Sequence, residues 1–419
     1  MIKNNTINSK TLSTLPINIE QFYVDAPPYY QGQTNNLDYL NAHMNQDNPT
    51  PLCFVGPKGT GKTLVIAHFA AENNIPLIQY DCSENTRKGD LIGRYVLRGD
   101  ETAYQLGVLP TAIEIANEVE TCILVLEELN ALAPNMQKQL NQLLDWRRHV
   151  FADNGKTYRL NKGAKLLVCA TMNPSTYGGV FELNEDLISR WGQVWVDYPT
   201  QKEEQSIAQI NGFDEKLLPI ITTKHQTQAK NHDYTLGTGP QQGIKLYKKP
   251  LNSTTNQTTY SITKEMIWRL VYETRTENGL SYAISPRDVV QFLQGYQNYL
   301  ITCIKPQAKK LGITNFENKS NKEIQNKLIS KDFQDSKHGN RKLDSYSNSL
   351  EEKLNTITSN TKNQNLSQEI IFQLWQDAST NAFKMALNAF IIGKYQDTTE
   401  KETIKQRISS VFGDVVLNA

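Results

Sequence analysis

Apolar residues in the first half of the chain fall into five short runs: Leu52–Val55, Pro76–Asp81, Cys122–Glu127, Lys165–Thr171 and Val194–Val196. Stretches with helical spacing lie among them, at 62–73, 110–119, 135–146 and 184–190. Continuous apolar runs of this length suit strands covered on both faces, and their alternation with amphipathic helices suits a parallel sheet. Asn135, just after Pro134, and Asn184 stand where helices would open. The pattern predicts an α/β domain with a doubly wound, parallel, five-stranded sheet. Residues 149–163 interrupt it with alternating flanks around Asn154-Gly155, the signature of a tight hairpin.

After Pro199 the rhythm changes. Residues 200–211, 263–276, 286–300 and 368–394 keep a helical period with no evident strand, as Ile371, Leu374, Trp375, Phe383 and Leu387 illustrate. A smaller all-helical domain is expected, interrupted at 223–262 and 305–366 by stretches rich in Asn, Lys, Thr, Gln and Ser. The expected organisation is a tail at 1–19, an α/β domain at 20–200 and a helical domain at 201–304. A low-complexity insertion at 305–366, with a short helix around KSNKEIQNKLISKDF, and a C-terminal helical segment at 367–419 complete it.

Composition refines this picture. Apolar residues make up 38% of the 419, below the usual ~45–50%, and the deficit sits in the insertions, so one good core is expected. A formal net charge of +1, with no reader module, argues against nucleic acid as a partner. No run of ~18 apolar residues offers a membrane span, and the N-terminus lacks the apolar centre of a secretory signal. Cys53, Cys82, Cys122, Cys169 and Cys303 are widely spaced without a CxxC pair and read as reduced thiols, four of them in or beside apolar runs. A cytoplasmic protein is expected.

The strongest chemical signal is Gly56-Pro57-Lys58-Gly59-Thr60-Gly61-Lys62-Thr63, which matches GxxxxGK[ST] between a predicted strand and a predicted helix. Glycines let backbone amides converge on phosphate oxygens, and the helix beginning at Lys62-Thr63-Leu64 aims its positive end at the same anion. Lys62 is placed for the β- and γ-phosphates and the Thr63 hydroxyl for Mg²⁺. The strand at 122–127 then ends in Glu127-Glu128. Phosphoryl transfer needs metal charge near the leaving oxygens and a positioned water, which assigns Glu127 to the metal and Glu128 to the water.

Three further residues have two readings each. Asn173 either orients water beside the γ-phosphate or caps the turn before Pro174. Arg190 either reaches a neighbouring subunit's site, where an arginine contributes ~10³-fold or more, or favours its own helix dipole. Arg287, in Ser285-Pro286-Arg287-Asp288 at a helix start, either swings over the γ-phosphate or forms a surface ion pair. Asn161-Lys162-Gly163-Ala164 lacks the aspartate that pairs with a guanine edge, which favours ATP over GTP.

With these sites in place, further residues resemble the AAA+ superfamily. Asp90-Leu-Ile-Gly-Arg-Tyr-Val-Leu-Arg-Gly-Asp-Glu101-Thr, then Gly107-Val-Leu-Pro, Ala112 and Leu126-Glu-Glu, resemble the MoxR-type ATPases. Tyr29-Tyr30, Trp146-Arg147-Arg148, Asn173-Pro174, Arg190-Trp191 and Asp197-Tyr198-Pro199 extend the likeness to CbbQ/NorQ-type activases, which are grouped with gas-vesicle GvpN proteins. The likeness covers about residues 20–200 and again near 280–300.

The resemblance implies a homohexameric ATPase using ATP and Mg²⁺ that remodels a client enzyme or assembly, usually with a protein carrying a von Willebrand A domain. It also implies that residues 84–109 form an insertion in the second helix projecting toward the ring pore. Arg190 would be the finger acting in trans and Arg287 the second sensor. Glu127 departs from the usual Asp, and its extra methylene implies a looser metal geometry and slower turnover. The chain after residue 300 is much longer than in the short activases. Two other readings stay open: a nucleotide-binding scaffold that hydrolyses weakly, and a nucleic-acid-linked motor, disfavoured by the near-neutral charge.

Overall fold

The computed structural model describes residues 14–32, 35–174, 181–213, 218–224, 257–276, 280–310, 368–413 and 416–417. They belong to two units, Met1–Glu203 and Glu204–Ala419. The first begins with α1 (Asn36–Met44), β1 (Leu52–Val55), α2 (Lys62–Glu72), β2 (Leu77–Asp81), α3 (Lys88–Leu91), β3 (Gly93–Arg98) and β4 (Glu101–Leu106). It continues with α4 (Val108–Val119), β5 (Thr121–Glu127), α5 (Pro134–Leu144), β6 (His149–Phe151), β7 (Thr157–Arg159), β8 (Lys165–Met172), α6 (Glu185–Ile188) and β9 (Gly192–Trp195).

The five apolar runs pair as one parallel sheet in the order β2-β5-β8-β1-β9. Alternation along each strand divides the core. Cys122, Leu124 and Leu126 of β5 face a layer with Leu109, Ile113 and Leu140. Ile123 and Val125 face the opposite layer, built on Leu40, Val65, Ile66 and Phe69. Each of these fully buried aliphatic chains contributes about 1.5–3 kcal/mol. Because all five strands run the same way, the loops after β1, β5 and β8 leave from one edge, where open α/β sheets bind ligands.

Two features depart from the sequence expectation here. Residues 84–109 contain a one-turn α3 and an antiparallel hairpin, β3–β4, with Tyr95 opposite Tyr104. Its exposed face, Leu97 above all, hides the apolar alternation that marks a strand. The 1–19 tail also shortens: Leu15 N–H donates to the Tyr104 carbonyl at 3.1 Å, and Ile17, Ile19 and Phe22 pack on the α4 side of the core. The hairpin at Asn154-Gly155 forms as β6–β7.

The second unit begins within α7 (Gln201–Ile210) and contains α8 (Lys264–Thr276), α9 (Pro286–Lys310), α10 (Gln368–Ala386) and α11 (Thr398–Phe412). Leu270, Phe292, Tyr296, Phe383, Ile404 and Phe412 share one core, so the C-terminal helices join the same packed unit. It is not all-helical. β10 (Ile220–Lys224) and β11 (Gln257–Ser261) pair antiparallel across the first polar insertion. Their partners are distant in sequence and mostly threonine and isoleucine, so no local pattern announces them. α9 runs ten residues past the expected end, to Lys310. Most of the second insertion, with its expected short helix, lies outside the described residues. No helix among the described residues is long and apolar enough to cross a membrane.

All five cysteines are free thiols, four of them buried. Burial pushes Cys53, Cys82 and Cys122 from 9.0 up to about 12 and raises Cys169 further. At pH 8 these four thiols stay protonated and shielded. A disulfide-exchange reagent is therefore expected to react readily with only the half-buried Cys303 in the native protein, and with all five after unfolding. Rapid native labelling of Cys122 would contradict this. Unfolding also lowers the raised pKa values to their ordinary range, so stability falls as pH climbs from about 9 toward 12.

Candidate functional site

β1 ends at Val55 and the chain passes through Gly56–Gly61 into α2. The loop is pressed against the neighbouring strand exits. Gly56 N–H donates to the Met172 carbonyl at 3.2 Å, and a Cβ on Gly56 would stand 1.9 Å from the Val196 carbonyl oxygen. Gly61, the N-cap of α2, has a φ of 88°, in the left-handed region that glycine tolerates best. No side chain caps α2, so its first-turn amides stay available to an anion. The Thr60 hydroxyl closes the loop onto the Pro57 carbonyl at 3.0 Å. Lys58 and Leu64 are exposed on its flanks.

Lys62 is 8% exposed and lies over this loop. Its Nζ donates to the carbonyls of Gly56 and Pro57 at 2.8 and 2.7 Å and to Asn173 Oδ1 at 3.3 Å. The last contact brings the exit of β8 to the loop and turns the donor end of the Asn173 amide away from the lysine. The Thr63 hydroxyl donates to Glu127 Oε2 at 2.8 Å, and Gln79 Nε2 reaches Glu127 Oε1 at 3.4 Å. A hydroxyl and a carboxylate this close are hard oxygen donors of the kind a small divalent cation takes, so the residues present fit Mg²⁺.

The acid pair leaves β5 through a strained turn. Glu128 adopts φ 50° and ψ 47°, its side chain is exposed, and a 3₁₀ turn follows at Leu129–Ala131. Its N–H donates to Thr171 Oγ1 at 3.3 Å. The buried Asn130 donates its amide to the Asn173 carbonyl at 2.9 Å. Burial first, then the charges of Asp81, Glu127 and Glu128, push the neighbouring Cys82 thiol up to about 12, a local sign of the negative field at the end of the sheet.

Lys62, Thr63, Glu127, Glu128 and Asn173 are thus linked through the ends of β1, β5 and β8. Arg190 stands on the turn after α6, where its guanidinium donates to the Asp186 carbonyl of its own helix. Arg287 belongs to the second unit, exposed in the first turn of α9, and forms no ion pair among the described residues. Gln79, Asn130 and Thr171 escaped the sequence reading. Their signal was a polar residue inside or at the end of an otherwise apolar run, noticeable only once strand order is known. Of Trp146-Arg147-Arg148, only Arg148 is buried, and Trp146 is 80% exposed.

A glycine-rich phosphate loop between β1 and α2, with carboxylates and an amide at the ends of adjacent parallel strands, defines a P-loop nucleotide-binding protein. Residues 51–191 match the family described as AAA domain (dynein-related subfamily). The chain is 31% identical to protein NorQ of Paracoccus denitrificans over 193 residues, covering 46% of this chain and 68% of NorQ. It is 26% identical to protein CbbQ of Hydrogenophilus thermoluteolus, covering 49% of this chain and 76% of CbbQ. BssE of Thauera aromatica, whose name carries the word chaperone, is 28% identical over 44% of this chain and 64% of BssE, just under two thirds of that relative's length. The chain belongs to the AAA+ ATPase family, in its MoxR clade with NorQ and CbbQ.

Proposed function

We propose that this chain binds ATP with Mg²⁺, hydrolyses it, and uses the cycle as a cytoplasmic homohexamer to remodel or activate a partner protein complex. The observation that carries the reading is the linkage of Thr63 to Glu127 at 2.8 Å beside Lys62 and Asn173, with Glu128 next in the chain. The loop amides and Lys62 hold the phosphates, while Thr63 and Glu127 would hold the metal. Magnesium, when bound, supplies positive charge against the charge developing on the phosphate oxygens. Glu128 accepts a proton from the attacking water and Asn173 orients it. Arg190 would supply charge to a neighbouring subunit's site, and Arg287 would read the γ-phosphate. The naming of BssE as a chaperone supports a remodelling role, and a von Willebrand A domain protein is the expected companion.

The test is phosphate release by the purified full chain with Mg²⁺ and with chelator, beside Lys62→Ala. The variant is expected to lose nucleotide affinity and to turn over at least about 10²-fold more slowly, the scale set by removing one transition-state donor. Full-strength magnesium-dependent turnover in Lys62→Ala would sink the assignment. Glu127, in place of a shorter aspartate, favours a second reading, a nucleotide-binding assembly scaffold with weak hydrolysis. That reading predicts ATP-dependent assembly with a basal rate indifferent to Glu128→Gln.

A further inference from the structure

The two acids share one peptide group, and that group is held at both ends. Its carbonyl, from Glu127, accepts the Cys82 N–H at 2.9 Å at the end of β2. Its N–H, from Glu128, donates to Thr171 Oγ1 at 3.3 Å on β8. The β5–β8 ladder stops at the pair Leu126 and Ala170, one step before these residues. Beyond that step the chain swings into the left-handed region at Glu128, with φ 50° and ψ 47°. Such a conformation costs a non-glycine residue about 1 kcal/mol or more and persists only where its surroundings impose it. The Glu128 carbonyl accepts the Ala131 N–H at 2.7 Å in the 3₁₀ turn that follows, and of the two contacts on the shared peptide group itself one is backbone to backbone. The other is a single hydroxyl, on a residue 4% exposed.

We infer that Thr171 is a positioning residue for Glu128: its hydroxyl captures the Glu128 N–H, fixes the left-handed backbone, and thereby sets where the carboxylate stands. The inference rests on the reading of Glu128 as the group that activates water. Thr171 itself touches neither water nor phosphate in this role. Without the hydroxyl, the Glu127–Glu128 peptide group keeps only its Cys82 contact, with the Ala131 tie one carbonyl further on, and is freer to rotate. Glu127 is less affected, because Thr63 and Gln79 grip its carboxylate separately. The expected consequence is a misaimed Glu128 with metal and nucleotide binding intact.

The experiment compares Thr171→Val and Thr171→Ser in the full-length protein, alone and combined with Glu128→Gln. Thr171→Val keeps the branched shape and removes the donor–acceptor group. It is expected to lower kcat by on the order of 10²-fold, the penalty of an ångström-scale misplacement, with nucleotide Kd changed less than about threefold by the same geometric argument. Thr171→Ser is expected to restore most of kcat, and Thr171→Val to add no further loss on the Glu128→Gln background. Normal kcat in Thr171→Val beside an inactive Glu128→Gln overturns the inference alone. Equal loss in Thr171→Ser, or a parallel loss of nucleotide affinity in Thr171→Val, also overturns it, since a structural defect would act that way. Normal turnover in Glu128→Gln removes the underlying reading, and the inference with it.

Discussion

Glu128→Gln is expected to abolish multiple-turnover ATP hydrolysis, lowering kcat by about 10²–10⁴-fold, the range for loss of a general base, while nucleotide affinity stays near that of the parent. The side chains are close to isosteric, but the amide cannot take a proton from water. Glu128 is exposed and its backbone is held from β8, so the substitution removes neither core packing nor a buried partner. The phosphate loop and the Thr63–Glu127 contact are left as they are. Binding and turnover should therefore separate, and affinity by fluorescent nucleotide beside phosphate release measures both. A variant that hydrolyses at the parental rate would return Glu128 to an ordinary surface acid. One that loses affinity as well would mean that the carboxylate serves the metal or the phosphates directly.

The legible part of this molecule was the part written in uninterrupted apolar runs. The three central strands, β1, β5 and β8, are buried on both faces, so their sequence has to be continuously apolar, and the chain leaves them at a glycine, an acid pair and an amide. The phosphate loop and the acid pair sit at those ends and were visible with them. What escaped was structure whose stabilisation is not local. The β3–β4 hairpin buries Ala103 and Tyr104 but leaves Leu97 in solvent, so its alternation is broken by arginines and acids on the open face. β10 and β11 meet across more than thirty intervening residues, so no short turn of fixed length ties one to the other. Thr171 closes the run Lys165–Thr171 with nothing in the sequence to mark a role, because its partner, the Glu128 N–H, is defined by sheet order and a left-handed turn.

Arg148 enters the sequence reading only as part of a resemblance, yet it is a buried cation outside the site whose loss should cost the fold substantially. It is 4% exposed, with a φ of 44°. Its Nε donates to Asn48 Oδ1 at 2.9 Å, one Nη to the Leu143 carbonyl at 3.0 Å, and the other to the Pro49 carbonyl. One guanidinium thus ties the end of α5 to the segment leading into β1. Burial draws its pKa down to about 10, with Asp145 pulling the other way, so it remains cationic at neutral pH. Arg148→Met fills much of the volume but strands two buried carbonyls, each costing about 1–3 kcal/mol. The expected loss is about 3 kcal/mol, or about 10 °C in the first thermal transition for a unit of this size. Arg148→Lys should fall between, since an ammonium cannot span three acceptors with a planar fork. Saturating nucleotide raises parent and variant alike if the site is untouched, so the gap should persist. An unchanged midpoint in Arg148→Met would show that the fork is dispensable. A gap that widens with nucleotide would mean that the Pro49 tie is needed to shape the phosphate loop itself.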